Sequence, residues 1–530
     1  MVGRKESDAA PSRAQQRQAR HRARRHRRLK IGTVVTLAVL VLLAGAAVGY
    51  GEYLNHQIHR LGIANLRSTA SSGVERDTVN ILLVGSTSRC VLAHQSAAFG
   101  ICDQGVTGVN SDVVMVLHLD PDHGRAAILS IPRDLFIPNA RTTGANKIDA
   151  ALYQGPSQLV QAIEDDFAIP IQHYVELNFD SFQGVVDALG GIRMYFPMPL
   201  YDAYSSLNIP TAGCHTLNGF QALAVVRARH LQYKPPGVTT PYHAYWPQDL
   251  QSDLSRIRRD HEFLRVLAAA VATRGLGNPL TDQSLVAALA PQLQVDSGLS
   301  LTDMVNLVLT FHSVNAAKAP QQTLPVRLHG GLDFYYSGYD YGSIEFPTEP
   351  EDQHVVEQFL GVPADVDTMT GAPLPAPGSV TVSVVNGTGQ YGQATAAASA
   401  LAADGFDAAP TGSSTPHSSP AETLLSYSPS APGARAAAEA VARHLSGPVV
   451  LDANSTARGS TVTVVTGTDL VVSPPAAPNS TTSTPGPAPS ASTTTTTTPA
   501  GATLEPATPP VEALAPFDPR SCTASGGEGP

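Results

Sequence analysis

The chain has 530 residues, with 34 lysines and arginines against 44 aspartates and glutamates, which gives a formal net charge of −10. That length allows more than one domain. Residues 1–30 hold 11 of the basic residues and two acids, so residues 31–530 carry a net charge of −19. We therefore expect the basic head and the acidic body to face different surroundings. Residues 471–530 are mostly Pro, Thr, Ser and Ala, a composition that excludes a packed core and predicts disorder.

Residues 31–51 carry no charge and are dominated by Val, Leu, Ala and Ile. About 20 such residues in a helix span a bilayer, so a transmembrane helix is predicted, followed by a helical stalk over residues 52–76. The basic head places the N-terminus in the cytoplasm and the main domains outside the plasma membrane, in a single-pass protein. A cleaved signal peptide is the alternative, because Ala44–Ala47 supplies small residues. Arginines beside a membrane span bind anionic lipid heads, so we expect membrane lipid and no nucleic acid as a partner.

A predicted hairpin lies at the centre of the first outer domain. Its first strand, Val113–Leu119, is preceded by Asp112, and its second strand ends at Arg133 and Asp134, with a turn over residues 120–124. Because the start of one antiparallel strand lies beside the end of the next, Asp112 should meet Arg133 and Asp134. Two carboxylates and a guanidinium can hold a hard cation and an anion together. A surface salt bridge beside a turn is the alternative.

Strands alternate with helices through the rest of this region, which predicts an α/β layered domain over residues 77–362. Asp180 and Asn218 are predicted to cap two of its helices. Residues 363–378 form a Pro-rich linker, and residues 379–470 alternate again as a second, small α/β domain.

Four cysteines lie outside the predicted membrane helix, where disulfides are permitted. Cys90 and Cys102 flank a short polar loop and are the most economical pair. Three connectivities are open once Cys214 and Cys522 are included, and the sequence does not choose among them.

Several arginines fall at the ends of predicted elements, where side chains can converge. Fixed guanidiniums suit a pyrophosphate, because each can donate two hydrogen bonds to phosphate oxygens. The alternative is that half of them are solvated surface charges, as we predict for Arg258 and Arg265. The arginines at element ends are Arg89, Arg133, Arg227, Arg229, Arg256 and Arg259.

The order of these motifs resembles the LytR-CpsA-Psr family over roughly residues 77–275. Residues 380–389, with Gly405-Phe406, similarly resemble the LytR C-terminal domain of actinobacterial members. The motifs that carry the first resemblance are Gly85…Arg89, Ser111-Asp112, Ile131-Pro132-Arg133-Asp134, Asn146-Lys147-Ile148-Asp149, Phe182…Asp187-Ala188-Leu189-Gly190-Gly191, Leu217-Asn218-Gly219…Ala222-Leu223, Arg227-Ala228-Arg229 and Asp253…Arg256…Arg259.

The resemblance implies an α-β-α layered domain with a central mixed sheet. It also implies a phosphotransferase that moves a glycopolymer from a polyprenyl-pyrophosphate carrier to a sugar hydroxyl of peptidoglycan. Asp112 and Asp134 would hold Mg²⁺ or Mn²⁺. Phosphates would be bound by Arg89, Arg133, Lys147, Arg227, Arg229, Arg256 and Arg259. The implied catalytic set is Arg89, Asp112, Arg133, Asp134, Arg227 and Arg229.

Two departures from the family pattern bear on this reading. Thr87 stands where the family usually has an aspartate, and Asp260 stands where it often has glutamine. A hydrolase of polyprenyl pyrophosphates and a non-catalytic wall-polymer-binding or regulatory protein are the rival functions. Phe182, Val186 and Phe263 either line a lipid pocket or form plain core.

The loop over residues 231–248 carries Tyr242, Tyr245 and Trp246 between the predicted arginine sites. It is longer than a connection requires. Its aromatic rings either stack on sugar rings or form a small satellite core.

Overall fold

The computed structural model describes residues 49–68, 78–90, 92, 100–251, 253–274, 287–288, 290–311, 319–329, 334–336, 338–413, 422–454, 456, 459–472 and 514–522. The chain forms two units, Met1–Gln57 and Ile58–Pro530. Residues 49–57 of the first unit are helical. The prediction of a helical stalk over residues 52–76 was wrong for residues 58–68, because His59–Leu61 form a strand that pairs with Gln294–Asp296. Of the helices in the described ranges, none combines the length and apolarity that crossing a bilayer requires. Residues 31–48 of the predicted membrane helix lie outside the described residues.

The second unit contains α-helices and short β-strands in mixed order. The α-helices whose bounds lie within the described ranges are α1 (Pro156–Phe167), α2 (Phe179–Ala188), α3 (Gly219–Arg227), α4 (Asp253–Arg274), α5 (Leu301–Phe311), α6 (Glu351–Leu360), α7 (Gln393–Ala403) and α8 (Ala434–Ala442). Its described strands are β1 (His59–Leu61), β2 (Val79–Ser86), β3 (Ser111–Asp120), β4 (Arg125–Ser130), β5 (Phe136–Arg141), β6 (Gly144–Lys147), β7 (His173–Leu177), β8 (Ile192–Phe196), β9 (Leu200–Asp202), β10 (Leu207–Ile209), β11 (Gly213–Leu217), β12 (Gln232–Tyr233), β13 (Gln294–Asp296), β14 (Gln321–Thr323), β15 (Val326–Leu328), β16 (Tyr335–Tyr336), β17 (Tyr339–Asp340), β18 (Glu345–Glu349), β19 (Thr381–Asn386), β20 (Asp407–Ser413), β21 (Thr423–Tyr427), β22 (Leu445–Ala453), β23 (Val462–Thr466), β24 (Val471–Val472) and β25 (Arg520–Ser521).

A seven-stranded mixed sheet organises the first domain, in the order β1-β13-β7-β2-β3-β4-β14. Strands β2, β3 and β4 are antiparallel neighbours, whereas β7 runs parallel to β2 and β14 parallel to β4. The predicted hairpin is β3–β4, in register from Met115 opposite Ser130 to Asp120 opposite Arg125. Gly124 in its turn has a φ of 59°, which glycine adopts without steric cost. The predicted central mixed sheet is confirmed.

The two faces of the sheet are covered by different helices, because successive side chains of a strand point to opposite faces. Leu82 and Val84 pack in a buried core with side chains from α1 and α6. Leu83 and Gly85 instead line a pocket with residues of α2, α3 and α4. The α-β-α layering is therefore confirmed, and the second face leaves space between sheet and helices.

Two asparagines cap α2 and α3, two of the helices that line the pocket. Asn178 caps α2 by accepting a hydrogen bond from the Ser181 N–H at 2.9 Å, so the prediction that Asp180 is the cap was wrong. Asp180 lies in the first turn, where a carboxylate favours the helix dipole. Asn218 caps α3 as predicted, and Gln221 completes a capping box with it.

The C-terminal α/β region has its own core but shares a sheet with the preceding chain. Its sheet has the order β15-β18-β22-β21-β23-β19-β20. Strand β18 precedes the predicted linker over residues 363–378, and it pairs with β22 through Thr348 opposite Pro448 and Glu349 opposite Gly447. The predicted domains 77–362 and 379–470 are therefore joined by backbone hydrogen bonds as well as by the chain.

The prediction of disorder was wrong for residues 514–522 of the tail. Strand β25 pairs with β8, where Arg520 lies opposite Tyr195 and Ser521 opposite Met194. Cys522 forms a disulfide with Cys214 of β11. Composition is an average over the whole Pro/Thr/Ser-rich segment, so it does not reveal a few residues that bind distant partners. Residues 473–513 and 523–530 lie outside the described ranges.

A second disulfide joins Cys90 to Cys102, the pair that their sequence spacing made most economical. Their Cα atoms are 5.0 Å apart, within the usual range for a disulfide. The bond closes the loop that follows β2, and Arg89 precedes its first cysteine.

Candidate active site

Arg133 joins the two ends of the β3–β4 hairpin. Its Nη1 donates a hydrogen bond to Asp112 Oδ1, and its Nε lies 3.5 Å from Asp134 Oδ2. Lys147 Nζ donates to the other oxygen of Asp134 at 2.8 Å. These four side chains are 13–21% exposed, so they are shielded yet reachable. The predicted meeting of the hairpin ends is confirmed.

Arg256 of α4 reaches the same rim from the helix layer. Its Nη2 donates to the backbone oxygen of Asp112 at 2.7 Å. Its Nε lies 3.7 Å from Asp260 Oδ2, one helical turn later. Burial acts to raise the pKa of Asp112, but Arg133, Arg256 and Arg227 outweigh it and hold that pKa below its usual value. Asp112 is therefore an ionised carboxylate among three guanidiniums.

Arg89 and Arg227 both lie against the ring of Phe179. Their guanidinium carbons are 5.5 Å and 4.7 Å from its centroid, within cation–π distance. Burial lowers the pKa of Arg227, Asp112 acts to raise it, and Arg89 and Arg256 lower it further. Like charges that depress one another's pKa are relieved by an anion placed among them. The sequence-predicted Arg89, Arg133, Arg227 and Arg256 are thus brought to one place around Asp112.

Arg229 and Arg259 have different surroundings. The N–H groups of Arg229 and His230 both donate to Asp202 Oδ2 at 2.9 Å. Arg259 is 1% exposed, and its Nη2 donates to the oxygen of Ala228 at 2.6 Å. Arg259 therefore stabilises the Arg227–Arg229 turn by binding its central backbone carbonyl, that of Ala228. Phosphate binding by Arg229 and Arg259 stays a prediction.

The prediction that Arg258 is a solvated surface charge was wrong. Arg258 is 5% exposed, and its Nε donates to Asp518 Oδ2 at 2.6 Å. Nothing in the local sequence indicates this contact, because the partner is 260 residues away. Arg265, predicted to be similar, has a 29% exposed side chain paired with Glu262 at 2.5 Å.

Asp149 is a site residue to which the sequence argument gave no role, although it belongs to the Asn146–Asp149 motif. Its N–H donates to the Arg133 oxygen at 3.2 Å, and its carboxylate accepts from Asn110 Nδ2 at 3.3 Å. Burial raises its pKa to about 7, although Arg133 opposes the shift. Asp149 therefore links Asn110, just before β3, to Arg133, just after β4, by hydrogen bonds.

Thr87, where the family usually has an aspartate, has a structural role. Its hydroxyl accepts from the Asn110 N–H at 3.0 Å, and its carbonyl accepts from Arg89 Nη1 at 2.9 Å. The position contributes no negative charge, yet it orients one of the clustered arginines. The other departure, Asp260, lines the pocket beside Arg256.

The donor set of Asp112 and Asp134 fits a hard cation. Both offer carboxylate oxygens, which Mg²⁺ and Mn²⁺ prefer, and Mg²⁺ needs only one or two protein carboxylates because it keeps several waters. Within the described residues, no group of three or more acidic, histidine or cysteine side chains could hold a metal. An ion at this rim would therefore complete its coordination with water and substrate oxygens.

A cavity of about 160 Å³ opens between the sheet and helices α2, α3 and α4. Its lining is mostly apolar and includes Phe182, Val186 and Phe263, which the sequence offered either as pocket or as core. Val186 and Phe263 also belong to a buried core cluster, so both descriptions hold for them. Asp112, Arg227 and Arg256 line the same cavity. It can thus receive a molecule with an apolar chain and an anionic group.

In the aromatic loop over residues 231–248, Trp246 is packed in the protein, whereas Tyr242 and Tyr245 are exposed. Trp246 is 8% exposed, its Nε1 donates to Thr240 O at 3.2 Å, and its ring meets His243 edge-on at 4.6 Å. Trp246 therefore belongs to a small satellite core. Tyr242 and Tyr245 are 69% and 74% exposed, so their faces are open to a ligand.

Comparison with known proteins agrees with the motif order. The LytR_cpsA_psr family model matches residues 55–347, more than half of the chain. The chain belongs to the LytR-CpsA-Psr family. A second model, described as LytR cell envelope-related transcriptional attenuator, matches residues 379–470.

Two relatives and one structure illustrate the similarity. The probable cell wall biosynthesis protein LcpB of Corynebacterium glutamicum is 30% identical over 318 residues, 59% of this chain and 67% of that protein. The polyisoprenyl-teichoic acid–peptidoglycan teichoic acid transferase TagT of Bacillus subtilis is 25% identical over 360 residues, 64% and 98% of the two chains. A solved LytR-Csp2A-Psr enzyme from Actinomyces oris is 24% identical, has a TM-score of 0.44 and covers 57% of this chain and 95% of its own.

Proposed function

We propose that this member of the LytR-CpsA-Psr family transfers a glycopolymer from a polyprenyl-pyrophosphate carrier to a sugar hydroxyl of peptidoglycan. The observation that carries the proposal is the cavity whose apolar lining adjoins Asp112, Arg227 and Arg256. A polyprenyl pyrophosphate has the same two parts, an apolar chain and a polyanionic head. Relatives named as teichoic acid transferases to peptidoglycan support the same reaction class.

The apolar side chains between β2, β3 and the helices would bind the polyprenyl chain, since each buried methylene group contributes about 0.8 kcal/mol. The clustered arginines Arg89, Arg227 and Arg256 would bind the pyrophosphate oxygens with charge-assisted hydrogen bonds. Arg133, held between Asp112 and Asp134, would orient both carboxylates at the rim. Mg²⁺ bound there would supply further charge neutralisation at the phosphates.

The acceptor hydroxyl would attack the phosphorus atom attached to the glycopolymer. A new phosphodiester bond would form, the bond to the lipid-linked phosphate would break, polyprenyl phosphate would leave with the electron pair, and the proton of the acceptor hydroxyl would pass to solvent water. The arginines would stabilise the negative charge that develops on the transferring group and on the leaving phosphate. The attacking oxygen comes from the acceptor, so the enzyme supplies no nucleophile.

Attachment to the plasma membrane belongs to the same proposal. The uncharged residues 31–51, preceded by the basic head, favour a single-pass anchor with the main domains outside. A membrane-anchored domain would take its lipid-linked donor directly from the bilayer and meet peptidoglycan on the same side.

The test is incubation of the full-length, detergent-solubilised chain with lipid-linked polymer, Mg²⁺ and peptidoglycan, followed by analysis of the linkage formed. We expect a phosphodiester between polymer and peptidoglycan together with free polyprenyl phosphate. Release of polymer phosphate without attachment to peptidoglycan would indicate a hydrolase instead. Binding of the lipid-linked polymer with neither product would indicate a non-catalytic protein.

A further inference from the structure

Residues 514–522, which we call the strap, dock on the first domain far from their place in the sequence. Three different contacts hold them there. Strand β25 extends the β11-β8 sheet, and Cys522 is bonded to Cys214. The ring of Phe517 stacks on Tyr233, with centroids 4.3 Å apart and planes at 15°. A backbone, a covalent and an aromatic contact on nine residues define one docked position.

The strap buries one charge, the carboxylate of Asp518, which is 0% exposed. Arg258 Nε donates to it at 2.6 Å and Arg259 Nη1 at 3.4 Å, both from helix α4. The Ala515 N–H donates to the same carboxylate at 2.8 Å. Removing one partner of a buried ion pair is costly, so the carboxylate that the strap supplies stabilises Arg258 and contributes to holding Arg259, which also pairs with Asp249.

Arg259 links the strap to the turn that carries Arg227 and Arg229. Its Nη2 donates to Ala228 O at 2.6 Å, and its Nη1 also meets Asp249 Oδ2 at 3.0 Å. Ala228 lies between Arg227, whose guanidinium packs on Phe179, and Arg229. Asp202 binds the N–H groups on the other side of this turn. The turn is thus held at its N–H groups by Asp202 and at its carbonyl by Arg259.

We propose that the strap is a positioning element, in which Asp518 orients Arg259 so that the turn holds Arg227 at the cavity. Asp518 is not among the residues that line the cavity, so the proposed route of its effect is through Arg259 and Ala228. The consequence for anion binding rests on the proposed function, whereas the effect on the turn does not.

Asp518→Asn tests the effect on the turn, because asparagine keeps the shape and removes the charge. We expect hydrogen exchange of the amides of residues 228–230 in the full-length, detergent-solubilised chain to speed up roughly tenfold. The matched control is Asp367→Asn, which alters a 5%-exposed aspartate paired with Arg435 in the C-terminal region. Exchange at residues 228–230 should be unchanged in that control. Wild-type exchange rates in Asp518→Asn would overturn the proposal.

A second measurement separates positioning from simple stabilisation. Farnesyl pyrophosphate, a short polyprenyl pyrophosphate, is titrated into both variants at a temperature where both are fully folded. We expect about tenfold weaker binding in Asp518→Asn and wild-type binding in Asp367→Asn. Faster exchange with unchanged affinity would make the strap purely structural and overturn the proposal. If the wild type itself does not bind, the proposed function fails while the exchange result still decides the strap.

Should Asp518→Asn not fold, the double variant Cys214→Ser/Cys522→Ser replaces it. It keeps Asp518 but removes the covalent bond that fixes the strap. We expect faster exchange at residues 228–230 than in the wild type, and exchange equal to the wild type would overturn the proposal.

Discussion

Arg133 donates a hydrogen bond to Asp112, a residue 21 positions earlier, across the ends of the β3–β4 hairpin. The same guanidinium lies 3.5 Å from Asp134, which Lys147 also binds. One arginine therefore orients two carboxylates, and a neighbouring lysine keeps the second in place. This relationship places the acidic groups at the rim and leaves Arg89, Arg227 and Arg256 around them.

Arg227→Ala should lower glycopolymer transfer by about two orders of magnitude while the fold is retained, because removal of one preorganised donor to a developing charge typically has that effect. The measurement is the initial rate of polymer attachment, with thermal unfolding as the check on folding. Arg193→Ala is the control, since Arg193 is exposed on β8. Equal rates in Arg227→Ala and Arg193→Ala would remove Arg227 from the site.

Asp134→Asn and a chelator should each abolish most of the transfer if Asp112 and Asp134 hold Mg²⁺. Asparagine is a poorer ligand for a hard cation, so added Mg²⁺ should restore Asp134→Asn only at higher concentration than in the wild type. The measurement is the rate as a function of Mg²⁺ concentration after chelation. Full activity of the wild type in excess chelator would rule out the metal.

Val185→Phe should weaken binding of a polyprenyl phosphate about tenfold by filling the cavity that Val185 lines. Overfilling costs roughly 1–3 kcal/mol of stability, so binding is measured well below the unfolding temperature. Leu250→Phe is the control, because Leu250 is 91% exposed. Inorganic pyrophosphate should bind both variants alike, since the arginines are unchanged. Unaltered binding of polyprenyl phosphate to Val185→Phe would show that the lipid lies elsewhere.

Glu349→Gln should reduce the loss of stability at alkaline pH. Burial raises the pKa of Asp352 to about 7 and, with Asp352, raises that of Glu349 well above its usual value. A carboxyl whose pKa is higher in the folded than in the unfolded protein contributes most to stability at acid pH. That contribution to stability falls as the pH rises from about 4, the unfolded pKa, through the folded pKa. The side-chain amide of glutamine can donate a hydrogen bond to Asp352 at every pH in this range, whereas a glutamate carboxyl must first be protonated. The unfolding temperature between pH 5 and 9 should therefore vary less than in the wild type.

The control for Glu349→Gln is Asp365→Asn, an exposed carboxylate outside this buried pair. It should keep the pH profile of the wild type. If the unfolding temperature of Glu349→Gln depends on pH as in the wild type, other groups cause the loss of stability at alkaline pH.

Trp246→Ala should destabilise the first domain by about 3 kcal/mol, because it empties the satellite core around Thr240 and His243. Tyr245→Ala should leave the unfolding temperature unchanged, since that ring is 74% exposed. If the loop stacks on sugar rings, Tyr245→Ala should slow polymer transfer without changing polyprenyl phosphate binding. Wild-type transfer in this variant would exclude that role.

The sequence alone was sufficient where the determining interactions are local or where several motifs occur in a fixed order. The β3–β4 hairpin follows from two apolar runs and a turn ending in Gly124, and it brings Asp112 to Arg133. Asn218 was recognisable as a cap because its partner is three residues away. The motif order indicated the family and the arginines that meet around Asp112.

Only the tertiary structure decided the contacts between groups that are distant in the sequence. Arg256 and Arg259 lie three residues apart on one helix, yet one lines the cavity and the other binds Ala228 and Asp518 behind it. The sequence did not predict the docked strap, because the composition of this segment is typical of a disordered tail. The physical reason is that burial and pairing of a charge depend on which distant groups the fold places beside it, and no local pattern carries that information.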